Sequence, residues 1–384
     1  MSAMMKDVAT RLSESLNAND PSAAMAALAD LRHQGASAEQ TLSCLIPAAA
    51  RTLQLRYPTP HAMIAAEWTR SSLVGLAPDR AQCLLEACVR YIAHCPKVNL
   101  RFHRPHSPGE PDKEDLLEGL RSSLDEHRVF DAFFYAERAL GGPDPRAAEN
   151  LLLTLAGHEV DPLGHVFIHT ATGLRLQHWC EQADWPLALL AMMEFLSRRA
   201  HVDEPRLLTE PRPLSALIPR AFERINVLGH NVIYAAELNR LPDGFPEPFL
   251  QHLHGQLARN IEKAEQGLTR DEYQACRTRT KPGDTRPDNL LEQAFTNGDV
   301  EAGLRSFALA WAHPPARESV RSDIVALFAR IDTLQSHYLI YPAATFSVLG
   351  KVSERDAEFG VAQLVRHGIQ AAGKYGLLPA TEAR

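Results

Sequence analysis

His165 and His169 stand one helical turn apart in the apolar stretch "PLGHVFIHTATGLRL", Pro162 to Leu176. Such an H-x-x-x-H pair suits a metal site, yet it lacks the glutamate that makes a zinc-protease motif. Self-comparison gives His165 more weight. Setting "LGHVFIHTATGLRL" over "LGHNVIYAAELNRL", from Leu228, matches Leu, Gly, His, Ile, Ala, Arg and Leu. Two weaker copies, "PHAMIAAEWTRSSL" and "SHYLIYPAATFSVL", keep a histidine with an isoleucine three residues on. His61, His165, His230 and His337 therefore occupy one position of four related modules. A lone histidine of this kind is usually a helix-start residue that satisfies a backbone group. Four equivalent ones can converge about a pseudo-twofold axis, and neutral imidazole ligates Fe, Zn, Cu and Ni.

Four residues beyond these histidines, on the same helical face, stand Ala65, His169, Tyr234 and Tyr341. Polar aromatics there can line a pocket for an aromatic substrate; the alternative is core packing with satisfied polar atoms. His169 reads as a pocket residue, because its equivalents are Tyr, Tyr and Ala, although an i, i+4 chelate with His165 stays geometrically open. Glu67 can act as a base or a ligand, or pair with Arg70. His158 ends a preceding helix, and Glu159 or Asp161 can orient a ligand imidazole from behind. His103 and His106, in a proline-rich loop, and His252 with His254, which share no helical face, read as bland. Pro342 either kinks the fourth module helix or begins it, with His337 in the turn before.

The elements that must position these residues are helices. Apolar patterns of helical period follow one another, as in "AENLLLTLAGHEV" and "DIVALFARIDTLQSHYLI", with Pro, Gly and Asp at their borders, and no stretch alternates with period two. The chain reads as all-α. His230 follows His61 by 169 residues and His337 follows His165 by 172, which suggests an internal duplication. The expected organisation is an N-terminal helix over 1–19, a first half over 20–182, a second over 183–351, and a C-terminal helix and tail over 352–384, all in one compact domain.

A net charge of -7 offers no basic surface for nucleic acid. No run approaches the roughly 18 apolar residues of a membrane span and no secretory signal opens the sequence, so a cytoplasmic protein is expected. Six cysteines occur without a C-x-x-C, as expected of reduced thiols. There is no G-x-G-x-x-G after a strand, no phosphate-binding loop and no G-x-S-x-G, which argues against flavin, NAD(P) or a nucleophilic serine.

The module "DPLGHVFIHTATGLRL", its echo "LGHNVIYAAELNRL" and the flanking single-histidine helices resemble the questin oxidase-like family, over nearly the whole chain. That resemblance implies an all-helical oxygenase of anthraquinone-type polyketides. It implies a mononuclear non-haem iron held by four histidines with help from a carboxylated lysine, and ring opening or a Baeyer–Villiger-type outcome, monooxygenase or dioxygenase. Carried onto this sequence, the ligands are His61, His165, His230 and His337. Lys351 lies too far along the His337 helix to reach the same ion, whereas Lys374, on a helix that runs back, is the expected lysine, with His367 as its competitor. The substrate is then a small phenolic or quinone-like aromatic beside His169, Tyr234 and Tyr341, with O₂ as co-substrate and Fe(II), or another transition metal, as cofactor. The reading from a different class is a non-catalytic α-helical repeat scaffold that binds a protein or small-molecule partner.

Overall fold

The computed structural model describes residues 3–52, 61–97, 116–157, 163–198, 212–279, 290–333 and 335–379. Among them there is no strand, only two isolated bridges, Thr52 with Lys97 and Ile331 with Leu377. The fold is all-α. Helix starts follow the sequence: Asp20 accepts from the Ala23 N–H with Pro21 in the first turn, and Ser37 with Gln40 and Thr269 with Glu272 form reciprocal capping boxes.

The chain forms two compact units, each assembled from separated segments. The first comprises Met1–Glu67, Val89–Pro211 and Leu241–Gly255. Here the helix His165–Leu176 packs against Pro145–Gly157 and Trp185–Ser197. It is buried almost all round, the mark of a central helix rather than an amphipathic surface one. Gly173 permits the close approach: a Cβ there would lie 2.6 Å from the Met192 sulfur. The second unit comprises Trp68–Cys88, Arg212–Arg240 and Gln256–Arg384. At its centre the helices His230–Asn239 and His337–Val348 pack on each other, and both are buried along nearly their whole length. Leu214–Glu223, Arg317–Ala329 and the C-terminal Glu354–Tyr375 pack around them. These units follow packing, whereas the sequence division at 182/183 follows the repeat.

Candidate metal centre

Each of the four module histidines is the first residue of its helix: His61–Leu73, His165–Leu176, His230–Asn239 and His337–Val348. Cα–Cβ bonds tilt toward a helix N-terminus, so a first-residue imidazole projects beyond the helix end instead of lying along its flank. Two of these helices start the same way. Gly164 (φ 74°, ψ 23°) and Gly229 (φ 86°, ψ 14°) are left-handed residues in the N-cap position, a conformation that glycine adopts without steric cost. That is the structural content of the repeated Leu-Gly-His. His337 opens its helix too, and Pro342 lies inside that helix rather than at its start.

In the first unit the His61 and His165 rings meet edge to face, with centroids 5.1 Å apart. In the second, the His230 and His337 rings are 4.6 Å apart and their Nε2 atoms 3.1 Å apart. The tautomer of His230 follows from its other nitrogen. Nδ1 contacts the Val227 carbonyl, which can only accept, so Nδ1 carries the hydrogen and Nε2 presents its lone pair to His337. Either a proton on His337 Nε2 or a shared cation must join this pair. Taking one nitrogen from each of His61, His165, His230 and His337, all four lie within 4.8 Å of one another. Donors on opposite sides of an ion at about 2.0–2.3 Å stand roughly 4.0–4.6 Å apart, so shifts of a few tenths of an ångström let the four nitrogens close on one ion. His61, His230 and His337 are only 6%, 4% and 9% exposed, and His165 is half-buried. The group can hold a metal ion, and a donor set of imidazoles alone suits Fe, Zn, Cu or Ni.

The residues one turn along divide by their polar atoms. His169 is fully buried, with neither ring nitrogen hydrogen-bonded and its ring 5.1 Å from that of Phe195. Burial, then the proximity of His165, depress its pKa to about 3, so its ring is neutral. The Tyr341 hydroxyl is likewise buried, with the Thr345 side chain beside it, and burial holds its pKa well above the usual phenol range. Tyr234 differs, because its hydroxyl donates to Gln256 Oε1 at 2.8 Å and is already engaged.

Lys374 requires a correction. It is exposed in the last turn of Glu354–Tyr375, its Nζ 4.9 Å from the Tyr375 ring centroid, as a solvated lysine at a helix C-terminus would be. The reason is length. The chain runs fourteen residues outward from His337 to Lys351, and a similar count back from Glu354 regains that level near His367, so Lys374 overshoots by about 10 Å at 1.5 Å per residue. It is His367 whose ring packs between Tyr338 (centroids 5.9 Å) and Tyr341 (5.6 Å). Burial, then Arg366, lower its pKa to about 4.

Glu67 is fully buried, with Oε1 3.3 Å from Arg175 Nε and Oε2 accepting from Trp179 Nε1 at 2.7 Å. Trp68 Nε1 donates to Glu237 Oε1 at 3.0 Å, and the Arg240 guanidinium lies 4.4 Å over the Trp68 ring. Sequence reasoning missed these networks. The signal was the arginine shared by the two best-matched modules, Arg175 and Arg240, each ten residues past its histidine. His252 bonds the Gly157 carbonyl, in keeping with its bland reading. His103, His106, His158, Glu159 and Asp161 lie outside the described residues.

No family model, curated protein or solved structure matches this chain.

Proposed function

We propose that this protein is a metal-dependent oxygenase of the questin oxidase-like kind, with Fe(II) held by His61, His165, His230 and His337, that opens or inserts oxygen into a small phenolic or quinone-like ring. One observation carries the reading: four imidazole nitrogens gathered within 4.8 Å, with a buried, unsatisfied imidazole one turn further along, at His169. Bound iron supplies dioxygen activation, which no side chain of this protein can provide on its own.

The protein's own groups bind, orient and exclude water. His169 is neutral and can donate from one nitrogen and accept at the other, which suits a phenol or a quinone carbonyl. Tyr341 stays protonated and can donate to an acceptor brought to it. Tyr234, tied to Gln256, offers its ring as a wall. Buried polar groups left without partners destabilise a folded protein by about 1–3 kcal/mol each, and ligand-binding surfaces are where such groups are retained.

The test is metal analysis of tag-free protein, followed by oxygen uptake with simple hydroxyanthraquinones. About one iron per chain is expected, lost when His61, His165, His230 or His337 is replaced by alanine, together with substrate-dependent oxygen uptake. A folded protein that takes up no transition metal ends this reading. Uptake of metal without oxygen consumption retains the site and removes the oxygenase.

A further inference from the structure

We propose that Asn226 is a positioning residue for the metal ligand His230, its side chain holding the Val227 backbone so that the Val227 carbonyl fixes the tautomer and direction of the imidazole. This role rests on the four-histidine reading and involves the second unit alone. The Val227 carbonyl spends both lone pairs on one residue, accepting from the backbone N–H of His230 and from its ring Nδ1. With Nδ1 bound, Nε2 is the nitrogen left for an ion, and the ring cannot swing away without breaking that bond.

That carbonyl reaches the imidazole only through unfavourable backbone. The φ of Leu228 sets the plane of the peptide that carries the Val227 oxygen, and at 56° it is left-handed, a conformation that a leucine avoids. Asn226 stands at φ 59° and ψ −175°, a region left almost wholly to glycine. Starting a ligand helix does not demand this, because His337 follows Ser336 at an ordinary φ of −54° and ψ of −25°. Such strain persists where the surroundings over-determine it, and where it serves a site. Upstream of the turn, Arg224 donates to the Ala264 carbonyl at 2.8 Å, while Asn231 bonds the Ile225 carbonyl from its backbone and the Arg224 carbonyl from its side chain. Within the turn Val227 is 62% exposed, so packing of its side chain does little to hold it. The Asn226 side chain does, accepting from the Val227 N–H at 2.7 Å. Asparagine suits the place twice over: it tolerates positive φ better than most residues, and its amide oxygen reaches the neighbouring backbone N–H.

Histidine-selective ¹⁵N labelling of the chelator-treated, full-length chain reads the tautomer by NMR, with the His230 signals assigned by their loss in His230→Gln. The wild type should carry the ring hydrogen on Nδ1. Asn226→Gly leaves the backbone free to keep its positive φ and removes only the oxygen. It should fold, let His230 sample both tautomers, and bind Zn(II) about ten- to a hundredfold more weakly. Asn226→Asp keeps an acceptor oxygen and should restore the Nδ1–H form and the affinity. Asn19→Gly, at another asparagine of positive φ (55°), controls for the exchange itself and should change neither. An unaltered His230 tautomer in Asn226→Gly overturns the proposal, as does Zn(II) affinity equal to that of the wild type. Failure of Asn226→Asp to restore the Nδ1–H form overturns it too, since the effect would then lie in the fold of the turn and not in the oxygen. A wild type that takes up no metal, with the tautomer responding as expected, removes the metal reading and leaves the coupling of Asn226 to His230 standing.

Discussion

At the scale of single residues, three buried aromatics one turn along from the histidines are set apart by what their polar atoms do. The Tyr234 hydroxyl is bonded to Gln256, so Tyr234→Phe removes a hydrogen bond and should cost about 1 kcal/mol in urea unfolding. The Tyr341 hydroxyl has only the Thr345 side chain beside it, so Tyr341→Phe should change stability by less than about 1 kcal/mol while lowering turnover. Metal content should survive both changes. Loss of metal from Tyr234→Phe would place that hydroxyl among the ligands. His169→Leu extends the contrast, because it replaces two unsatisfied nitrogens by an apolar side chain of similar size. It should stabilise the protein by about 1–3 kcal/mol and lower activity, as expected where function retains a polar group that folding disfavours. A His169→Leu protein that melts below the wild type would mean that the ring makes a structural bond in solution.

At the scale of elements, the turn into the His230 helix carries the most constraint. Asn226 (φ 59°), Leu228 (φ 56°) and Gly229 (φ 86°) all take positive φ, and for a leucine this is costly backbone. The Asn226 side chain braces the turn by accepting from the Val227 N–H, and Val227 in turn holds His230 Nδ1. A Cβ on Gly229 would sit 2.5 Å from the Tyr341 ring. Gly229→Ala should therefore destabilise the protein by about 2–4 kcal/mol and weaken metal uptake, measured by unfolding and by metal analysis, whereas Gly35→Ala, with nothing within 4 Å of its Cβ, should cost only the backbone strain and spare the metal. Much of this was legible beforehand. The all-α class followed from periodicity, and the four histidines from self-alignment, because a repeated Leu-Gly-His encodes a left-handed glycine before a helix start. The level of Lys374 was not legible, since it depends on where one helix stops and the next begins, and an error of a few residues there displaces a side chain by a full turn. Nor were the partners of Glu67 and Trp68, because Arg175, Trp179 and Glu237 are more than a hundred residues away and only packing brings them together.

At the scale of the molecule, the histidines tie stability to protons and to metal. The folded chain holds His367 at a pKa of about 4 against an ordinary 6.5, so between these values the unfolded chain binds a proton that the folded chain refuses. Stability should then fall as pH drops from 6.5 toward 4, by up to about 1.4 kcal/mol per pH unit from this ring. His367→Phe should reduce the slope of that acid limb in urea titrations and leave the share of His169, which is held lower still; an unchanged slope would assign the proton uptake elsewhere. Metal acts in the opposite sense. The four ligands come from positions 61, 165, 230 and 337 and are together only in the folded chain, so an ion that binds there stabilises folding by about 2.7 kcal/mol at a hundredfold excess over its Kd. Added Fe(II) or Zn(II) should raise the melting temperature of chelator-treated protein, and His230→Ala should abolish the rise while remaining folded. Imidazoles bind metal as neutral bases, so the rise should shrink on acidification, and a rise that persists at pH 5, or in His230→Ala, would locate the ion at some other group.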